Sequence, residues 1–135
     1  TLTFSIKQTK KPKIKVSIND NIPHINIETF LDIHLESNGG NTDYLKQENK
    51  DILNKVLNEH ITSLIYEYLD ITTSLAIDPA GFGRYAKSNC LTYKEFENYD
   101  WPKIYKNSKF DVKTNIELNV AQIVSHTMPE YNSQK

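Results

Sequence analysis

The sequence predicts an α+β domain, a mainly antiparallel sheet of about four strands with a long helix and shorter helices packed on one face. Three observations carry that prediction. Apolar residues alternate with polar ones near both ends of the chain, they recur at three- and four-residue steps through its middle, and cap-like residues punctuate the stretch that follows. The predicted order is β-β-β-α-α-α-β. A sheet apolar on one face and a helix apolar along one stripe bury those surfaces most simply against each other.

Leu2, Phe4 and Ile6 alternate with polar residues and predict a first strand, which "KKP" at residues 10–12 is expected to break. Ile14, Val16 and Ile18 predict a second, and "NDN" at 19–21 before Pro23 predicts the turn that closes it. Ile25, Ile27, Leu31, Ile33 and Leu35, with Thr29 in phase, predict a third strand that ends at "SNGGN". The period then becomes helical. Leu53, Val56, Leu57, His60, Ile61, Leu64, Tyr68 and Leu75 share one stripe over about residues 43–77.

Two short helices are predicted next. Asp78 is suited to an N-cap with Pro79 at the first helical position, and "TYKE" from Thr92 to Glu95 reads as a capping box. Trp101-Pro102 opens a further helical turn. Phe110, Val112, Ile116, Leu118 and Val120 share one face of a closing strand. The predicted domain covers residues 1–128, and Pro129 to Lys135 form a polar tail.

With 38% hydrophobic and 24% charged residues, the chain is too apolar for a disordered segment. A net charge of -1 supplies no global field for nucleic acid or an anionic membrane. One cysteine excludes an internal disulfide and any multi-cysteine metal site. No apolar run reaches the ~18 residues a spanning helix needs. "TLTFSIK" begins inside a strand pattern with no methionine and no signal peptide, which predicts a piece of a longer protein.

The chemistry turns on "DPAGFGRYAKSN", residues 78–89. A dinucleotide fingerprint needs a third spaced glycine after a strand, and a P-loop needs Gly-Lys-Ser/Thr. Here Gly81-Phe82-Gly83 follows a helix, and Asn89 is no glycine. The pair therefore predicts a backbone corner with Phe82 turned inward as an anchor. His24, Asp32, His34 and Glu36 share a strand face, but residues two apart on such a face fan outward, which favours a solvated surface over a metal site. His60 on the helix stripe predicts a core histidine. His126 near the end carries no signal. Cys90 lacks the Gly-x-Ser-x-Gly type of elbow that positions a nucleophile.

Lys7, Lys10, Lys11, Lys13 and Lys15 fit protection of a sheet edge better than an anionic partner. Tyr93, Phe96, Tyr99, Trp101 and Tyr105 fit packing against the sheet better than stacking on sugars or bases.

The stretch "DPAGFGRYAKSNCLTYKEFENYDWPKIYKNSKFDVKTNIELNV" resembles the C-terminal region of the Ger(x)C family, the lipoprotein C subunits of spore nutrient germinant receptors. Asp78, Gly81, Phe82, Gly83 and Trp101 match the family signature in order, after a long amphipathic helix and before a closing strand, Phe110 to Val120. The chain departs from the family where "AQIVSHTMPEY" follows that strand and where Phe96 stands for a second tryptophan.

The resemblance implies a non-catalytic domain that contributes to receptor assembly and nutrient-triggered germination beside the membrane-embedded A and B subunits. It implies no cofactor and no nucleic acid, and a place on the outer surface of the spore inner membrane through an N-terminal lipid anchor absent here. It leaves the five signature residues a structural role. The alternatives are direct binding of a small germinant and a metal-assisted hydrolase built on His24, Asp32 and His34.

Overall fold

The computed structural model describes residues 2–38, 46–89, 97 and 100–120. Its elements are β1 (Leu2–Asn19), β2 (Ile22–Asn38), α1 (Gln47–Ser74), α2 (Phe82–Asn89), α3 (Trp101–Tyr105) and β3 (Lys109–Val120). The fold is α+β, as the periodicities predict. The sheet has three strands in the order β1-β2-β3, where about four were expected.

The difference lies at "KKP". That segment bends the first strand without ending it, with register irregularities between Gln8 and Lys10 and between Lys10 and Lys13. Pro12 is tolerated because β1 is an edge strand, where a missing N–H can face outward. Asp20 and Asn21, with φ of 53° and 63°, then form a two-residue hairpin loop, which needs positive φ at both central positions.

The sheet is mixed. β1 and β2 are antiparallel, with Phe4 opposite Leu35, Ile6 opposite Ile33 and Val16 opposite Ile25. β3 runs parallel to β2, with Ile25 opposite Phe110 and Ile33 opposite Leu118. Strand alternation alone predicts a mainly antiparallel sheet. A parallel return needs a long crossover, which the helical stretch between β2 and β3 supplies.

Odd-numbered β2 residues from Ile25 to Leu35 face the helices, and two apolar clusters form there. One joins Val16, Ile25, Leu69, Phe82, Ala86, Tyr105 and Val112, and the other Ile33, Leu35, Leu53 and Leu118. Thr114, also buried, shares a 2.8 Å hydrogen bond with Thr62 of α1.

α1 is placed by polar side chains as much as by apolar ones. Asn54 donates to the Ile116 carbonyl at 3.3 Å and Asn58 to that of Thr114 at 2.6 Å. The Tyr66 hydroxyl accepts from Val112 N–H at 3.0 Å. Positions 54, 58, 62 and 66 lie one turn apart, so they form a single ridge, and all their β3 partners are even-numbered. For Asn54, Asn58 and Tyr66 those partners are backbone groups on the edge of β3 away from β2. The ridge caps a sheet edge that would otherwise be open to another strand.

α1 stops in a two-bond turn. Ala76 N–H donates to the Thr73 carbonyl and Ile77 N–H to that of Thr72, both at 3.0 Å, with Ala76 at φ 57°. An L-residue in this left-handed conformation is strained by about 1–2 kcal/mol. Ala76→Gly is therefore expected to stabilise the protein by roughly 0.5–1 kcal/mol after glycine's larger unfolded-state entropy is deducted. A thermal midpoint raised by about 2–4 °C is the expected reading, and a lowered one would contradict it.

Candidate functional site

The sequence-predicted residues after α1 meet at one corner. The Asp78 carbonyl accepts from Gly81 N–H at 3.1 Å, closing a turn with Pro79 in its second position. Gly81 has φ 76°, and an added Cβ would stand 2.8 Å from the Arg84 guanidinium. α2 starts immediately afterwards, at Phe82, three residues later than an N-cap at Asp78 with Pro79 first in the helix would have it. Asp78 caps the helix all the same, by reaching across the turn.

The Asp78 carboxylate is the hub. Oδ1 accepts from Phe82 N–H at 2.9 Å, and Oδ2 accepts from Gly83 N–H at 2.8 Å and from Trp101 Nε1–H at 2.9 Å. A negative group at a helix N-terminus is favoured by the unpaired amides and the helix dipole. One carboxylate thus fixes the start of α2 and the start of α3 together. Gly83 lets the indole come close, since a Cβ there would lie 3.0 Å from Trp101 Nε1 and the ring would have to shift by a few tenths of an ångström. The first two amides of α2 are occupied by Asp78, so this turn presents no empty cradle for a phosphate.

Phe82 is 3% exposed. Its ring lies 6.4 Å from Tyr105 and 6.0 Å from Phe110, and Trp101 lies 5.7 Å from Tyr105. Tyr105 is anchored at its polar tip. Thr72 donates to the Leu69 carbonyl at 2.8 Å, which leaves the Tyr105 hydroxyl to donate to Thr72 Oγ1, also at 2.8 Å. Burial pushes the Tyr105 phenol above the ordinary tyrosine range, and the bond to Thr72 pulls the other way. The Thr72–Tyr105 pair leaves no mark in the sequence, because its members are 33 positions apart.

The histidines and carboxylates do not converge. His24 and Asp32 are eight residues apart along β2, roughly 26 Å at strand rise. His34 Nε2 stands 4.0 Å from Asp32 Oδ2, and Asp32 also accepts from Asn119 at 3.3 Å. Among the described residues no group of three or more metal-ligating side chains forms. The side chain of Glu36, together with Cys90, Thr92 to Glu95, Phe96, Tyr99, His126 and the tail, lies outside the described residues. His60 is exposed, which corrects the expectation of a core histidine. It sits between Val56 and Leu64 on a row of α1 that points away from the sheet.

An open groove of about 720 Å³ runs along the solvent face of the sheet, lined by Lys13, Lys15, Glu28, Asp111 and Lys113 with Asn58 at its rim. It is open and its walls carry charged side chains, unlike the apolar, enclosed pockets that hold small ligands.

A family model described as spore germination B3/GerAC-like, C-terminal, matches residues 1–120. The chain belongs to that family. Among solved structures, this GerAC-like domain is similar to the crystal structure of the GerBC protein, with a TM-score of 0.64 at 13% identity. That similarity shows a shared fold. It covers 86% of this chain and 40% of the GerBC chain, so the GerAC-like domain spans less than half the length of the protein it matches. Among curated proteins none matches the sequence. No described helix is long and apolar enough to cross a membrane.

Proposed function

We propose that this GerAC-like domain is the C-terminal part of a germinant-receptor C subunit and works without catalysis, as an interaction domain that helps assemble the receptor. Its partners on this reading are the membrane-embedded A and B subunits, at the outer surface of the spore inner membrane. Asp78, Gly81, Phe82, Gly83 and Trp101 are then structural, holding the corner that orients α2 and α3 against α1.

The outward face of α1 carries this reading. Ile52, Val56, Leu64, Tyr68, Ile71 and Leu75 recur at helical steps and are each 48–63% exposed. Single exposed apolar residues are ordinary, but a contiguous row of them marks an interaction surface. The exposed acids Glu59, Glu67 and Asp70 border the row, which suits an apolar partner surface with basic flanks. Tyrosine at the centre of such a row is a favoured anchor.

The test is co-purification of the full-length protein with its A and B partners after Leu64→Asp and Ile71→Asp. Recovery is expected to fall at least ~10-fold, since each change puts a charge into a buried apolar contact. The melting curve of the 135-residue chain should stay unchanged, because both positions are exposed. Undiminished recovery would end the assembly reading. A lowered midpoint in full-length protein alone would assign the row to contacts within the C subunit.

A further inference from the structure

Five lysines stand between residues 7 and 15 of β1 with no carboxylate among them: Lys7, Lys10, Lys11, Lys13 and Lys15. All are exposed. The acids placed to neutralise them belong to β2, where Asp32 is opposite Lys7 and Glu28 is opposite Lys13. Both acids are engaged from the other side. Glu28 Oε2 accepts from Asn115 at 2.9 Å and lies 3.9 Å from Lys113, while Asp32 is held by Asn119 and His34. No β1 lysine has a carboxylate within ion-pair distance among the described residues. The net charge of -1 therefore hides a strongly cationic edge.

Phe30 organises part of that edge. It is opposite Lys10 on the solvent face, and the ammonium groups of Lys10 and Lys13 lie 4.2 Å and 5.7 Å from its ring centre. A cation–π contact holds a charge in place without cancelling it. Two cations are thus kept beside each other on a half-buried ring, in line with three more along the strand.

We propose that the β1 edge is a docking surface for an anionic lipid bilayer, with the lysines seated on headgroup phosphates. The geometry disfavours the other polyanions. An acidic peptide adding as a strand needs an unbroken ladder, whereas Pro12 lacks an N–H and the register shifts twice between Gln8 and Lys13. A single-stranded nucleic acid needs open aromatic faces, and Phe30 is covered by its two lysines. A flat anionic surface asks only for a row of accessible cations.

The experiment is co-sedimentation of the 135-residue chain with phosphatidylcholine vesicles, with and without phosphatidylglycerol, at low and at high salt. Binding is expected only where phosphatidylglycerol is present, and raised salt should weaken it. Each lysine near such a surface contributes about fivefold in affinity, so the triple variant Lys10→Gln, Lys11→Gln, Lys13→Gln should bind roughly 100-fold more weakly. An unchanged melting curve would show that the variant is folded. Three results would overturn the proposal: no binding to phosphatidylglycerol vesicles, equal binding to pure phosphatidylcholine, or full binding by the triple variant. A chain that ignores both vesicles yet captures a polyglutamate peptide would assign the edge to an acidic protein.

Discussion

Phe82→Ala is expected to lower the thermal midpoint by roughly 10 °C or more. Removing a buried phenylalanine costs about 3–5 kcal/mol through lost transfer free energy and the cavity left behind. At this chain length each kcal/mol corresponds to a shift of roughly 3–4 °C. The upper part of the range applies here because the site has little room to collapse. Phe82 lies between Tyr105 and Phe110, and Tyr105 is itself fixed by its bond to Thr72. Thermal denaturation followed by circular dichroism measures the effect. A midpoint that does not move would mean that Phe82 is exposed in solution, and the signature would become the leading candidate for a partner surface.

Asp78→Ala should be nearly as damaging, through a different physical route. It strands three donors at once: two amides at the start of α2 and the Trp101 indole. Hydrogen bonds to a charged acceptor contribute about 1.5–3 kcal/mol each, but the helix amides recover part of this from water. The expected net loss is about 2–4 kcal/mol, or roughly 7–14 °C. Asp78→Asn should fall between the two, since its one carbonyl oxygen cannot replace both carboxylate oxygens. Trp101 is the sole tryptophan, so its fluorescence reports directly on the corner. A red-shifted emission in the folded variant is expected, and unshifted emission with an unchanged midpoint would remove Asp78 from its role as hub.

Sequence and structure part company in instructive places. Asp78 is legible as a cap because few residues other than Asp, Asn, Ser and Thr do that work ahead of a helix. Its reach across the Pro79 turn is not legible, and neither is its hold on Trp101, 23 positions away. "KKP" reads as a strand break because proline cannot serve a central strand, but the edge position of β1 removes that objection. On α1 the apolar period is plain. The stripe that includes Val56, His60, Leu64, Tyr68 and Leu75, however, mixes residues that face the sheet with residues that face outward. Leu53, Leu57, Ile61, Ile65 and Leu69 do the packing, and the second row one position earlier or later is indistinguishable by spacing.

The polar ridge of Asn54, Asn58, Thr62 and Tyr66 carries no local signal of its role. Its four-residue spacing is visible in the sequence, but its partners, three of them backbone groups and one the Thr114 hydroxyl, lie some 46 to 62 positions away. Nothing local announces that a strand edge will need covering there.

By itself, then, the sequence determined the apolar alternation of the sheet, the long helix and the α+β class. Each of these follows from preferences that act within a turn or a pleat, over a few residues. Only the tertiary structure decided which strands are edges, which face of α1 is left apolar in the open, and which lysines go without a neutralising acid. Those outcomes depend on what distant segments occupy: β3 takes the acids of β2 and α1 takes the edge of β3. Charge and apolar surface become functional through what remains uncovered, and coverage is a property of the assembled fold.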